Sequence, residues 1–218
     1  MATFGDMTTY VAKRLIDPNG TAVAASDVHD ALNDSIAYWK FRRFWFNEVA
    51  DSATLTIQNA AFPYPSNFLM PSTDDDGFNI EYGGVRYPLT KVTQQVYDSL
   101  YLSNGYGLPR WYARMANSEY QCYPIPNVAY TVNRRYLSDF PALVNDADTN
   151  VFTINAARLI ELWALGNLVT ELRQDTTMGD YYRAASQNEY RNLRVRTDKE
   201  NGTGKLTLFS NLVGGGLR

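Results

Sequence analysis

His29 and Cys122 are the only imidazole and the only thiol in the chain, so they are the first residues to weigh for chemistry. A catalytic histidine needs a nucleophile, a substrate pocket or an orienting partner within hydrogen-bond reach. His29 stands beside Asp27 and Asp30, and helical spacing brings it near Ala25 and Asn33, neither of which is a nucleophile. That pattern describes an exposed residue on a polar helix face. Cys122 falls inside a strand pattern, between Gln121 and Tyr123. With no second histidine to activate it, a packed thiol is expected. A single Cys excludes an internal disulfide, and one His with one Cys excludes the usual zinc ligand sets.

Two acidic clusters invite a metal reading. Asp74-Asp-Asp76-Gly77 has consecutive carboxylates, which point in divergent directions and suit a solvated turn. Asp146-Ala-Asp148-Thr-Asn150 alternates, as the first oxygen positions of a calcium loop do. It then places Val151 where such a loop needs Gly and Ala157 where it needs a bidentate Glu. An Asx turn leading into a helix is the better expectation. No Gly-Lys-Ser/Thr phosphate loop occurs, and nothing marks one pair of carboxylates above another for glycosidase chemistry. The sequence therefore calls for no catalytic residue, metal or cofactor.

Basic residues form two groups. Lys40, Arg42 and Arg43 sit among Trp39, Phe41, Phe44 and Trp45, a mixture that can stack on bases or grip phosphates. Arg191, Arg194, Arg196 and Lys199 form the second. Both lie near expected helix C-termini, where the dipole favours cations, and that structural role is preferred. The whole chain carries 20 Lys+Arg against 23 Asp+Glu, a net charge of −3, which argues against a generally basic nucleic-acid binder.

The elements that must position these groups read as helix, then strands, then helix. Met7 to Ile16 is a short helix stopped by Asp17-Pro-Asn-Gly20. Ser26 is the expected cap of a second helix, with Val28, Leu32, Ile36 and Trp39 on one face, running to about Phe46. From Ala53 to Ile57 the apolar period changes to two, as on a half-buried strand. Phe62-Pro-Tyr-Pro65 forbids helix and marks an irregular or edge segment. Phe78–Tyr82 and Val85–Leu89 flank Gly83-Gly84, a two-residue hairpin signal. Thr93 to Leu102 is a short helix. Trp111–Met115, Glu119–Tyr123 and Ala129–Tyr136 are joined by short turns and read as an antiparallel meander. Helix returns from Ala156 to about Gln174, capped by Asn155 or Thr153 and apolar nearly all round. A last helix spans about Met178 to Thr197, with Tyr182, Ala185 and Leu193 on a weak stripe.

The fold class expected is α+β: a discontinuous antiparallel helical bundle from residues 1–50 and 140–200, with a β insertion over 51–139. Residues 201–218 contain five Gly and read as an extended arm without a core. Within it Lys205, Leu206, Leu208, Phe209, Leu212 and Val213 form an alternating segment suited to binding a partner's sheet edge or groove. At 218 residues with 45% hydrophobic content, a sizeable core is available. No stretch approaches the roughly 18 apolar residues of a spanning helix, and no leader pattern opens the chain. A soluble protein made in a reducing compartment is expected.

One region carries a resemblance. Leu108-Pro-Arg-Trp-Tyr-Ala113, Tyr123-Pro-Ile-Pro-Asn127 and Tyr130-Thr-Val-Asn-Arg-Arg-Tyr136 follow in order. Phe140-Pro-Ala-Leu143 and Asp146-Ala-Asp-Thr-Asn150 then lead into the long apolar helix. Upstream stands Phe62-Pro-Tyr-Pro-Ser-Asn-Phe68. This order resembles tailed-bacteriophage head-to-tail adaptors of the tail-accessory-factor type, over roughly Ala25 to Thr197. The resemblance implies a structural virion protein at the neck, forming a ring, commonly twelvefold, beneath the portal. It implies as partners the portal protein, a tail component (nozzle, hub or tube) and further copies of the chain. Double-stranded DNA would be met only in transit, and no membrane is involved. It also implies that the arm reaches the portal. Two other readings stand beside it: a virion-associated cell-wall hydrolase, and a nucleic-acid-binding virion protein using the Lys40–Arg43 group.

Overall fold

A computed structural model describes residues 1–15, 23–72, 78–115 and 119–200. In chain order the elements begin with α1 (Phe4–Arg14), α2 (Ala25–Trp39), β1 (Glu48–Leu55), β2 (Ala61–Pro63) and β3 (Phe68–Pro71). Next come β4 (Asn79–Tyr82), β5 (Val85–Pro88), β6 (Thr90–Lys91), α3 (Gln94–Tyr101) and β7 (Tyr106–Gly107). There follow β8 (Trp111–Arg114), β9 (Glu119–Tyr123), β10 (Ile125–Pro126) and β11 (Tyr130–Ser138). The chain closes with α4 (Val151–Asn155), α5 (Ala157–Arg173) and α6 (Thr176–Glu200). The class is α+β. The chain divides into two compact units: Met1–Trp39, Arg43–Phe46 and the described part of Leu143–Arg218 form one, and Lys40–Arg42 with Asn47–Ala142 the other.

The helical unit joins both ends of the chain, and α5 is its centre, packing against α1, α2, α4 and α6. Leu159, Ile160, Leu162, Ala164, Leu165, Leu168 and Val169 are all buried, so the all-round apolar pattern reflects neighbours on every side. Thr3 caps α1 by a reciprocal box: its hydroxyl accepts the Asp6 amide, and the Asp6 carboxylate accepts the Thr3 amide. Val28, Leu32, Ile36 and Trp39 form the buried face of α2, as their spacing requires. Asn33 extends from that helix to the 143–150 segment, donating to the Leu143 carbonyl and accepting its amide, both at 3.0 Å. The α1 amides of Phe4 and Gly5 donate to the carbonyls of Asp148 and Asp146. The 143–148 segment before α4 is thereby tied to two helices.

Three expectations about helix ends are corrected. The second helix stops at Trp39 rather than near Phe46. Phe44 and Phe46 stack in parallel at 5.0 Å, which two residues at i,i+2 on one helix cannot do. The Asn47 amide donates to the Lys40 and Arg42 carbonyls, satisfying acceptors that helical amides would otherwise take. Ser26 lies inside the first turn of α2, which already begins at Ala25. Neither Thr153 nor Asn155 caps the long helix. Asn150 caps the short α4 instead, its side-chain oxygen accepting from the Phe152 and Thr153 amides, and α5 starts from Ala156 with no side-chain cap.

Of the expected Tyr182–Ala185–Leu193 stripe in α6, Leu193 is buried and Tyr182 and Ala185 are partly buried; the other buried positions are Gly179, Ser186 and Thr197. Its seam on α5 is made of small residues. Gly166 and Gly179 face each other, since a Cβ on Gly179 would lie 3.0 Å from the Gly166 carbonyl and collide with Thr170 Oγ1. Ser186 donates to the Leu159 carbonyl across the same seam.

The β unit contains two main sheets. One orders β1-β11-β4-β5, with β3 also on β11; the other orders β2-β9-β8-β6. Leu55, Ile80, Tyr130 and Val132 from the first share one core with Phe62, Tyr112, Tyr120 and Cys122 from the second. The β4–β5 hairpin turns through Gly83 and Gly84 at φ +58° and +76°, the paired left-handed geometry that makes glycine the natural choice there. β2 is an edge strand, as its prolines demand. The expected meander is corrected at its third strand: β9 pairs with β8 and β2, whereas β11 crosses to the other sheet and becomes its centre. Pro124 and Pro126 interrupt the chain between them, and β10 there pairs with β7.

Arg134 fixes this crossing. It is 7% exposed, donates twice to Asp51 of β1 at 2.7 and 3.3 Å, and donates to the Pro63 carbonyl of β2 at 2.6 Å. Asp51→Ala leaves a buried guanidinium short of its counter-ion, so unfolding in urea is expected to lose about 2 kcal/mol. Asp51→Asn, which keeps an acceptor, should lose less.

Candidate functional site

His29 is half-buried rather than exposed. Its ring packs 4.6 Å from Phe4, and Nε2 lies 3.8 Å from Asp146 Oδ1. The imidazole of α2 thus packs against Phe4 of α1. Cys122 is fully buried in the sheet core. Burial pushes its thiol up, away from the reactive thiolate.

The alternating acids after Leu143 form a turn. Asp148 accepts the amides of Val144 and Asn145 at 2.9 and 2.8 Å, and these bonds hold its carboxyl below the usual range. Among the described residues no group of three His, Cys, Asp or Glu side chains is placed to hold a metal. The Asp74–Asp76 cluster lies outside the described residues.

Lys40 pairs with Asp139 at 2.8 Å, and the Arg196 guanidinium covers the Trp45 ring at 4.2 Å. Members of each basic group are thus engaged in contacts within their own unit. Lys205, Leu206, Leu208, Phe209, Leu212 and Val213 all lie outside the described residues.

In the sequence Glu161 is marked only as a break in an apolar run. It is 8% exposed on α5 and sits 3.9 Å from Arg158. Burial outweighs the attraction of Arg158 and Arg14 and pushes its carboxyl up to about 7. The Arg14 and Arg158 guanidiniums both lie over the Tyr10 ring, at 3.7 and 5.2 Å.

What the surface offers is contact area. At the α5–α6 turn a cavity of about 550 Å³ is lined by Asp175, Thr177, Met178, Tyr181 and Tyr182. Tyr181 is 66% and Met178 44% exposed. In the β unit a second cavity, about 340 Å³, lies among Tyr87, Pro88, Thr90, Leu108, Arg110 and Trp111. Apolar and aromatic hollows of this kind suit macromolecular contact. The sequence matches the model of a family described as SU10 adaptor protein, over residues 2–206. The chain belongs to that family. It is a bacteriophage adaptor, a structural protein. No curated protein matches the chain. In this adaptor no described helix is long and apolar enough to cross a membrane. The resemblance seen in the proline-bounded segments from Leu108 to Asn150 thus extends over nearly the whole chain. Those segments include β8, β11 and the loop hydrogen-bonded to α1 and α2.

Proposed function

We propose that the protein is a head-to-tail adaptor that forms a ring of twelve copies beneath the portal of a tailed bacteriophage. It joins the capsid to the tail component below and extends the DNA channel. The observation that carries this reading is the adaptor-family match over residues 2–206. The net charge of −3 supports it, because DNA passing through a lumen must slide, and many phosphate contacts would hold it by counterion release. The helical elements of 1–50 and 140–200 act as a bundle-like platform, with 51–139 inserted and 201–218 as a contact arm. Lys205, Leu206, Leu208, Phe209, Leu212 and Val213 meet the portal or a neighbouring subunit. The chain is made in the host cytoplasm and resides in the virion neck.

An adaptor that closed before docking would compete with assembly, so the free chain is expected to be monomeric or weakly associated, with the portal supplying much of the interface. Native mass spectrometry of the chain alone and mixed with its portal tests this, together with electron microscopy of the particle. Twelve copies on the portal and density at the neck are expected. A closed ring without portal that fails to dock, or a particle whose neck lacks the protein, would sink the proposal.

A further inference from the structure

Two outward helix faces of the helical unit carry opposite charge. On α2, Asp27, Asp30, Asp34 and Ala37 recur at helical spacing and are all exposed, so they share one face. It lies opposite the buried Val28, Leu32, Ile36 and Trp39. The helix contains no Lys or Arg, so its row of carboxylates has no cation on its own helix to offset their repulsion. On α6, Tyr181, Ala184, Asn188, Arg191 and Val195 are exposed at the same spacing, and Arg194 is exposed beside them. This face lies opposite Gly179, Ser186, Leu193 and Thr197. Arg191 donates to Asn188 at 3.1 Å within the face. We infer that the acidic face of α2 in one copy packs antiparallel against the arginine face of α6 in a neighbouring copy. This rests on the ring reading above and deepens it.

Register and charge select this occupant. From Ala37 toward the start of α2, Asp30 is seven residues away and Asp27 ten. From Ala184 toward the end of α6, Arg191 is seven residues away and Arg194 ten. At 1.5 Å per residue, both pairs fall about 10 and 15 Å from an Ala37–Ala184 contact. Antiparallel helices therefore set acid against arginine twice, and the two alanines let the backbones approach. A parallel arrangement about the same contact sets Asp30 and Asp34 level with Thr177 and Tyr181 instead. The acids of α6 do not oppose the pairing. Asp180 pairs with Arg183 at 3.1 Å and Glu200 with Arg196 at 3.8 Å, and Glu189 is partly buried. Asp198 falls level with residue 23, before α2 begins at Ala25. Within one copy the faces cannot meet, because α2 and α6 each turn the opposite side toward α5. The contact joins two different faces, so it is heterologous, the kind that propagates around a ring.

Disulfide trapping with charge reversal tests the contact in the full chain. The native thiol, Cys122, is fully buried and will not react. Ala37→Cys and Ala184→Cys chains are mixed at high concentration and low salt under mild oxidation and run on a non-reducing gel. Disulfide-linked heterodimers are expected at least tenfold faster than with Val144→Cys, an exposed control position on the same unit, in place of Ala37→Cys. Adding Asp27→Lys, Asp30→Lys and Asp34→Lys to the first chain should bring the rate down to the control. Adding Arg191→Glu and Arg194→Glu to the second should do the same. Mixing the two reversed chains should restore at least half of the original rate, which misfolded variants could not do. A rate equal to the control from the start, insensitivity to reversal, or no recovery in the doubly reversed mixture would each overturn the inference. Ala37→Cys chains alone that cross-link as fast as the mixture would show α2 pairing with α2, which overturns it too. If trapping fails while a neck ring is imaged, this contact falls and the adaptor reading stands. If trapping succeeds while the neck lacks the protein, the contact between copies stands and the adaptor reading falls.

Discussion

Gly179→Val is expected to cost at least 3 kcal/mol in unfolding free energy, more than about 1 to 3 kcal/mol typical of overpacking. The added side chain has no soft neighbour to displace. On one side stands the Gly166 carbonyl, 3.0 Å from the position of a Cβ, and on the other Thr170 Oγ1. Thr170 cannot turn away cheaply. Its hydroxyl donates to the Gly166 carbonyl at 2.8 Å and accepts from Arg183 at 3.1 Å, and a β-branched side chain has few alternative rotamers. The strain must pass to the backbone, separating α5 from α6 along a seam that also carries the Ser186–Leu159 bond. Gly166→Ala should cost less, because one of its contacts is the flexible Arg183 Cγ at 2.8 Å. Thermal and urea melts of both variants measure the difference. A Gly179→Val protein as stable as the parent would mean that the helices do not approach this closely.

That seam shows why the sequence was only partly readable. Apolar periodicity located α2 through Val28, Leu32, Ile36 and Trp39, and it identified α5 as buried on all sides. The α6 seam is Gly, Ser, Leu and Thr at spacings of seven and four. A search for apolar residues finds only Leu193 there, because close helix approach is made by the absence of side chains. The hairpin at Gly83-Gly84 was legible because its turn demands φ > 0 at both residues, which is local information. The destination of β11 was not, since strand pairing across 83 residues, as between Asp51 and Arg134, leaves no local mark. The proline-bounded segments supplied the family by their order, not by physics. No physical pattern in 108–150 states what the protein joins.

The site was legible in a different sense. Cys122 was readable as a packed thiol and is fully buried, whereas His29, expected to be exposed, is half-buried because α1 brings Phe4 over it. The hollow at the α5–α6 turn escaped notice because its lining comes from a connection whose residues, Asp175 to Tyr182, read as a helix start. Glu161 was visible as an interruption of the apolar run, and only the packing around α5 reveals that the interruption is inside.

Glu161→Gln is expected to stabilise the protein at pH 8 by about 3 kcal/mol while changing little at pH 4. The carboxyl is raised from 4.5 to about 7 by burial, against the partial opposition of Arg158 and Arg14. In the unfolded chain it ionises near its ordinary value. Between about pH 4.5 and 7 the native state therefore holds a proton that the unfolded state has lost, and stability must fall as pH rises through that window. A shift of this size corresponds to roughly 3 kcal/mol, at about 1.4 kcal/mol per unit. Above pH 7 the native protein carries a nearly buried carboxylate whose nearest cation, Arg158, stands 3.9 Å away and is half exposed, too loose a pairing to offset desolvation. The amide of Gln has the same shape and never ionises, so the loss disappears. Arg158→Leu should act in the opposite direction, raising the carboxyl further and extending the fall in stability to higher pH. Urea unfolding of the three proteins from pH 4 to 8 tests both. Parallel pH profiles for the parent and Glu161→Gln would mean that the carboxylate is solvated in the folded protein and that α5 is not closed around it.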